Sequence, residues 1–173
     1  MQELHFKVGR KTFIIFTVIF TFLSDQITKI LAREILAMKD SYYFFNHTLL
    51  IKYVENPGAF LSLGANLSET ARFWIFSVSV TVFLAVTLYI VLFNKKLDQW
   101  SIVALAFISG GGLGNLLDRV TRSSVTDFIN LGIGDIRTGI FNFADMYITF
   151  GAIIFFILQI IEMRNASKLK KNK

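Results

Sequence analysis

The sequence predicts an all-α membrane protein: a four-transmembrane-helix bundle with a small extracytoplasmic antiparallel β-sheet. Three observations carry that reading. The 173 residues are 54% hydrophobic and only 17% charged, with a mean hydropathy of +0.56, far more apolar surface than a soluble domain of this length has interior to hide. Four apolar runs approach or reach the roughly 20 residues that a bilayer-crossing helix needs. Between them lie two stretches rich in aromatic, β-branched and turn-forming residues, where strands are expected.

In chain order, residues 12–32 form the first span, although Asp25 and Lys29 lie inside it. Lys7, Arg10 and Lys11 precede it as in a secretory signal, but no small-x-small cleavage pattern follows, and an uncleaved helix is expected. Residues 33–72 make the first outer segment. Within it, residues 41–54 (SYYFFNHTLLIKYV) read as a hairpin turning at Asn46 and His47, and Ser68 reads as the N-cap of an interfacial helix leading into the second span. Residues 73–93 and 100–117 are uncharged and form the second and third spans. The second outer segment, 118–141, offers a further strand over 125–130. The last apolar run, 146–161, is short for a crossing, so the fourth span is placed at 142–162, with Asp145 at the membrane boundary. No repeat or linker divides the chain, and residues 1–173 are read as one membrane domain.

Lysine and arginine orient the bundle. The N-terminus, the loop 94–99 and the C-terminal tail together carry 10 basic and 3 acidic residues; the two outer segments, taken with the end residues 32 and 142–145, carry 7 and 8. Both termini are therefore expected in the cytoplasm of a multi-pass inner-membrane protein. The basic residues at 168–173 read as a topology signal and a contact for anionic membrane lipid, so the net charge of +6 implies no nucleic-acid partner. The absence of cysteine excludes disulfides, thiolate metal sites and a cysteine nucleophile. His5 and His47, the only histidines, leave little for a histidine triad or a zinc site. A hydrolase built from this chain must use carboxylates.

Ionisable groups inside spans are costly and therefore informative. Asp25 lies roughly 20 Å along the first helix at about 1.5 Å per residue, with Lys29 one turn further on the same face. On these two residues alone, the pair reads first as a structural bridge that neutralises itself. The third span ends in Gly110-Gly111-Gly112-Leu113-Gly114-Asn115-Leu116-Leu117-Asp118-Arg119, where glycines permit close helix approach and Asn115, Asp118 and Arg119 share a face. Asp127, in Val125-Thr126-Asp127-Phe128, and Asp145, in Phe141-Asn142-Phe143-Ala144-Asp145, both fall on the outer side in apolar surroundings. Brought together, two such carboxyls would share a proton and suit a water-activating pair; apart, they are surface aspartates near the headgroups.

These motifs together resemble the lipoprotein signal peptidase (signal peptidase II) family. The matching blocks are Asp25-Gln26-Ile27-Thr28-Lys29, Asn56-Pro57-Gly58-Ala59-Phe60, residues 111–119, residues 125–128 and residues 141–145, in the family's order and spacing from about Phe13 to Met163. The resemblance implies an aspartyl endopeptidase, with Asp127 and Asp145 catalytic. Asn56, Gly58, Asn115, Arg119 and Asn142 match positions that orient the pair or hold the substrate backbone, while Asp25, Lys29 and Asp118 support the site from beneath. It implies that lipid-modified prolipoproteins are cut before a diacylglyceryl-bearing cysteine near the outer face of the membrane, by a monomer with no metal or organic cofactor. Strands from both outer segments are expected to form a cradle above the site. Two positions depart from the family's common form. The chain runs directly from Ala59 to Phe60 where a second small residue is usual. Ser123 stands where glycine is frequent, and because positive φ strains a serine, a different turn is expected there. The rival readings are a small proton-relay or transporter subunit using Asp25, Lys29 and Asp145, and a non-catalytic assembly factor built on glycine packing.

Overall fold

The computed structural model describes residues 9–36, 41–59 and 62–171, the side chains of 169–171 excepted. Phe60, His5, Lys7 and the end of the basic tail lie outside the described residues. Among those described, four helices are long and apolar enough to cross a membrane: α1 (Arg10–Leu36), α2 (Glu69–Phe93), α3 (Gln99–Arg122) and α4 (Phe143–Lys171). A four-stranded antiparallel sheet, β1 (Tyr42–Phe44), β2 (Leu49–Asn56), β3 (Val125–Ile133) and β4 (Ile136–Arg137), is ordered β1-β2-β3-β4.

The first helix is amphipathic in the sense opposite to a soluble helix. Thr17, Thr21, Asp25 and Lys29, each four residues from the next, are buried, while Phe16, Phe20, Leu23 and Ile27 on the other side are about half exposed. The threonine hydroxyls donate to carbonyls one turn back, Thr17 to Phe13 and Thr21 to Thr17, both at 2.9 Å, so the stripe carries no unmet donor there.

The central helix is α3, the most buried of the four spans. Its successive glycines each meet a different neighbour. A Cβ on Gly110 would overlap Thr21 of α1, on Gly111 would come within 2.5 Å of the Ala144 carbonyl of α4, and on Gly112 within 2.5 Å of Leu84 Cδ2 of α2. Neighbours thus approach α3 closely on three sides, with backbone itself on two of them, Val18 O at Gly110 and Ala144 O at Gly111, as small residues allow in lipid. The helix starts at Asp98, whose carboxylate accepts from the N–H groups of Trp100 and Ser101 at 2.9 and 3.1 Å. It runs past the uncharged window to Arg122, so Asp118 and Arg119 stand on it.

The different turn expected at Ser123 is not what forms. Ser123 adopts the left-handed conformation, φ 61°, that a glycine would take, and its N–H closes the helix on Arg119 O at 2.9 Å. The cost, about 1–2 kcal/mol for a non-glycine residue, is offset by that capping bond and by the Ser124 hydroxyl, which donates to Glu55 and ties the turn to β2.

The hairpin over residues 41–54 turns where expected, with Phe45, Asn46 and His47 all at positive φ. Between Ile51 and Val54 the β2–β3 register slips, two residues of β2, Lys52 and Tyr53, facing one of β3, Phe128, so β2 carries a bulge just before the Val54–Asp127 pair. Beyond β4, Phe141 bridges to Ile129, and this clasp delivers the chain into α4 beside β3.

Candidate active site

Asp127 and Asp145 arrive from different elements. Alternation along β3 turns Asp127 to one face of the sheet and Thr126 to the other. Asp145 occupies the first turn of α4, where Asn142 caps the helix. The Asn142 side-chain oxygen accepts the Asp145 N–H at 2.9 Å, and Asp145 Oδ2 accepts the Asn142 N–H at 3.2 Å. This reciprocal capping box fixes the Asp145 carboxylate and leaves the Asn142 amide to reach sideways. Its Nδ2 donates to Asp127 Oδ1 at 2.6 Å and to Asn115 Oδ1 at 3.2 Å. Asn142 therefore joins the two carboxylates, and both line one small crevice with Asn56, Asn115 and Arg119.

Each carboxylate has a second amide partner. Asn56 Nδ2 donates to Asp127 Oδ2 at 3.0 Å and to the Ala59 carbonyl at 3.1 Å. Asn115 Nδ2 donates to Asp145 Oδ1 at 2.8 Å. Arg119 Nη2 donates to the Gly58 carbonyl at 3.0 Å, and among the described residues it makes no ion pair. Gly58 has to be glycine for space, since a Cβ there would sit 2.6 Å from Leu63 O. The surroundings of the two acids differ: Asp127 is 2% exposed, whereas Asp145 is partly open. Burial pushes the Asp127 carboxyl up from 3.8 to about 7; the Asn56 hydrogen bond opposes this rise and the charge of Asp145 adds to it.

Beneath the crevice lies a buried charge cluster centred on Lys29. Its ammonium touches Asp25 Oδ2 at 2.8 Å, Asp118 Oδ2 at 3.2 Å and Asn115 Oδ1 at 2.8 Å. Asp25 Oδ1 accepts the Ala144 N–H at 2.8 Å, satisfying from α1 an end group of α4 that has no partner within its own helix. Gly114 makes room, since a Cβ there would meet Asp25 Oδ2 at 2.3 Å. Asp118 Oδ2 also accepts the Thr126 N–H at 3.2 Å. Lys29 is thus linked to both acids, through Asn115 to Asp145 and through Asp118 to the residue preceding Asp127.

All ten residues expected at the site gather here: Asp127, Asp145, Asn56, Asn115, Arg119 and Asn142 around the crevice, Gly58 against Arg119, and Asp25, Lys29 and Asp118 below. The structure adds residues not singled out from sequence. Arg33 Nη1 lies 3.7 Å from Asp118 Oδ1 and donates to Thr126 Oγ1 at 2.9 Å. The Thr126 hydroxyl donates to Glu55 Oε1 at 2.9 Å, and Glu55 also accepts from Tyr53 at 2.6 Å and from Ser124. Burial alone would raise the Glu55 carboxyl, but the hydrogen bonds from Ser124, Tyr53 and Thr126 hold it below its usual value; burial and the same contact push Tyr53 up to about 12. Two signals were available. Arg33 extends the 25, 29 series by another four residues, and Asn142-x-x-Asp145 before an apolar run is a capping-box pattern.

Fold and site define a polytopic membrane protein with a paired-carboxylate centre at one end of a four-helix bundle. The chain belongs to the signal peptidase II family: the family Peptidase_A8, Signal peptidase (SPase) II, matches residues 17–161. It is 37% identical over 155 residues to a lipoprotein signal peptidase of Sphingopyxis alaskensis, covering 84% of this chain and 86% of that one. It is 34% identical over 145 residues to the lipoprotein signal peptidase of Caldanaerobacter subterraneus subsp. tengcongensis, covering 84% and 94%. Two solved structures of bacterial membrane enzymes, obtained in meso at 2.3 and 1.9 Å resolution, superpose with TM-scores of 0.76 and 0.73 at 29% and 27% identity. The first covers 95% of both chains, the second 92% of this chain and 97% of its own.

Proposed function

We propose that this protein is an aspartic endopeptidase that removes the signal peptide from diacylglyceryl-modified prolipoproteins by cutting before the lipidated cysteine. The observation that carries the reading is Asn142, whose side-chain nitrogen donates to the Asp127 carboxylate and whose backbone N–H donates to the Asp145 carboxylate, so that two acids share one crevice. The names of the relatives, lipoprotein signal peptidase, supply the substrate class. In the reaction, one carboxylate takes a proton from water and the resulting hydroxide adds to the scissile carbonyl. The other carboxyl gives its proton to the oxyanion; the first, now carrying the proton taken from water, passes it to the leaving amine as the C–N bond breaks, and the gem-diol returns a proton to the second carboxylate. A carboxyl raised to about 7 suits Asp127 to hold the proton that the pair shares near neutrality. Asn56, already bonded to Asp127, orients it. Arg119 holds the Gly58 carbonyl, and with it the loop over which an extended substrate would lie.

The excess of basic residues at the termini and in the loop 94–99 supports cytoplasmic termini and a catalytic centre near the outer face. There the acyl chains of the substrate remain in the bilayer while its peptide enters the crevice, and the enzyme works as a monomer in contact with membrane lipid. The test is purified enzyme in micelles with a diacylglyceryl-modified prolipoprotein. Release of the signal peptide is expected, and an intact substrate after prolonged incubation contradicts the proposal.

A further inference from the structure

Helix α2 contains an irregularity to which the reaction above assigns no part. Residues Phe73–Val78 form a π turn, after which the Ser79 N–H bonds Trp74 O, five residues back. From Ser77, near the end of the turn, onward, the buried residues Ser77, Leu84, Thr87 and Val91 keep ordinary helical spacing. An α-helix continued backward from Ser77 would bring Phe73 to the same face. The wider turn brings Arg72 instead and leaves Phe73, Trp74 and Ile75 53, 60 and 48% exposed on the apolar side.

The consequence is felt at the loop after Asn56. Arg72 Nη1 donates to the carbonyls of Ala65 and Leu67 at 2.8 and 3.2 Å. The ring of Phe76 lies under the Arg119 guanidinium, 5.7 Å from carbon to centroid, and fills the place where a Cβ on Gly64 would sit, 2.8 Å away. Gly64, at φ +78°, takes the backbone conformation that lets the loop descend onto that ring. Nearer the acids the loop is held by Asn56 on Ala59 and by Arg119 on Gly58. Pro57, Arg72, Phe76, Ser77 and Arg119 together wall a cavity that shares Arg119 with the crevice of Asp127 and Asp145.

We infer that the π turn is a positioning device: it seats Arg72 and Phe76 so that they hold the loop after Asn56, and with it Arg119, in register with the two aspartates. Neither residue touches the reacting atoms; both act through Arg119 and the loop. The inference rests on the peptidase reading for its kinetic readout alone, because the clamping of the loop is measurable without turnover.

The experiment compares deletion of Trp74, which returns the turn to α-helical register, with Trp74→Ala, which removes the same side chain and keeps the register. Hydrogen exchange is read at the amides of Ala59, Ser62, Ala65 and Leu67, all bonded within the loop, with buried α3 amides as the internal reference. The deletion is expected to speed exchange at these loop amides about tenfold or more while leaving α3 unchanged, and Trp74→Ala to stay within about twofold of the parent. On a lipid-modified prolipoprotein, the deletion should lower kcat/KM at least about tenfold, with KM raised, whereas Trp74→Ala should not. Phe76→Leu and Phe76→Trp provide a second pair if the deletion does not fold. Leucine should loosen the loop and cost about tenfold in kcat/KM, and tryptophan, which still offers a ring to Arg119, should restore both. Loop exchange at the parental rate in the deletion variant, or in Phe76→Leu, overturns the inference. A parent enzyme that cleaves nothing overturns the peptidase reading and leaves the exchange result to decide this one.

Discussion

Asp127 shows how one side chain sets a measurable pH response. Its carboxyl is raised in the folded protein, so the fold binds that proton more tightly than the unfolded chain does. Between pH 3.8 and about 7 the folded state therefore loses stability as pH rises, the reverse of the usual salt-bridged aspartate. Asp127→Asn removes this term but also turns an amide donor toward Asn56 or Asn142, a constant penalty. The expected result is a difference in Tm between variant and parent that moves in the variant's favour as pH rises from 4 to 7; a difference independent of pH contradicts the assignment. Lys29 makes the complementary case. Lys29→Met leaves Asp25 and Asp118 buried without the ammonium that bridges them, at a cost of roughly 3–5 kcal/mol for a broken buried pair. Adding Asp25→Asn should recover part of that loss in detergent melts, and a double variant melting no higher than Lys29→Met would refute the cluster. Most of these residues were visible in the sequence because a charge in an apolar run is an anomaly. Glu55 and Thr126 are ordinary strand residues, and the contact between them and that of Thr126 with Arg33 of α1 are tertiary facts.

The elements determine where those side chains meet. The bulge in β2, the Phe141 bridge and the Asn142 cap together bring β3 and α4 into register, while the glycines of α3 set how closely α4 can lie. Gly111→Ala presses a methyl onto the Ala144 backbone, next to Asp145, and backbone has little room to yield. Gly112→Ala meets the end of Leu84, which can rotate. The expectation is a loss of about 1–3 kcal/mol and at least about tenfold in activity for Gly111→Ala, with clearly smaller effects for Gly112→Ala. Equal effects from the two would mean that α3–α4 spacing does not control the site. Hydropathy and turn residues made the four helices, the hairpin and the strand at 125–130 legible. The π turn was not, because it leaves no mark in hydropathy: the charge of Arg72 ended the apolar window at Phe73, and residues 67–72 read as an interfacial approach, whereas α2 runs continuously from Glu69. Strand β4, two residues long, is too short for any alternation to show.

At the scale of the whole molecule, the buried charged and amide groups of the site are gathered near one end of a bundle whose flanks are lined with exposed apolar side chains, and the proposed recognition follows from that arrangement. Among the described residues no large lobe stands outside the helices to hold specificity pockets, whereas in the proposed reaction acyl chains held in the bilayer would contribute about 0.8 kcal/mol per buried CH₂ and confine the substrate to the plane of the site. Unmodified prolipoprotein should therefore show a far lower kcat/KM than the diacylglyceryl form in the same micelles, and similar values would place recognition in the peptide instead. That the chain forms four spans was legible from composition. That α3 is the central one was not, because the glycines that make it so also read as a generic packing stripe until their partners are known. The central claim is that Asp127 and Asp145 act as one unit on the lipid-modified substrate. It is tested most directly by single-turnover cleavage of that substrate by the parent enzyme, Asp127→Asn, Asp145→Asn and the double variant. Each single change is expected to lower the rate about 10³-fold or more, and the double change no further, as for groups that work together. Near-parental cleavage by either single variant would contradict the account.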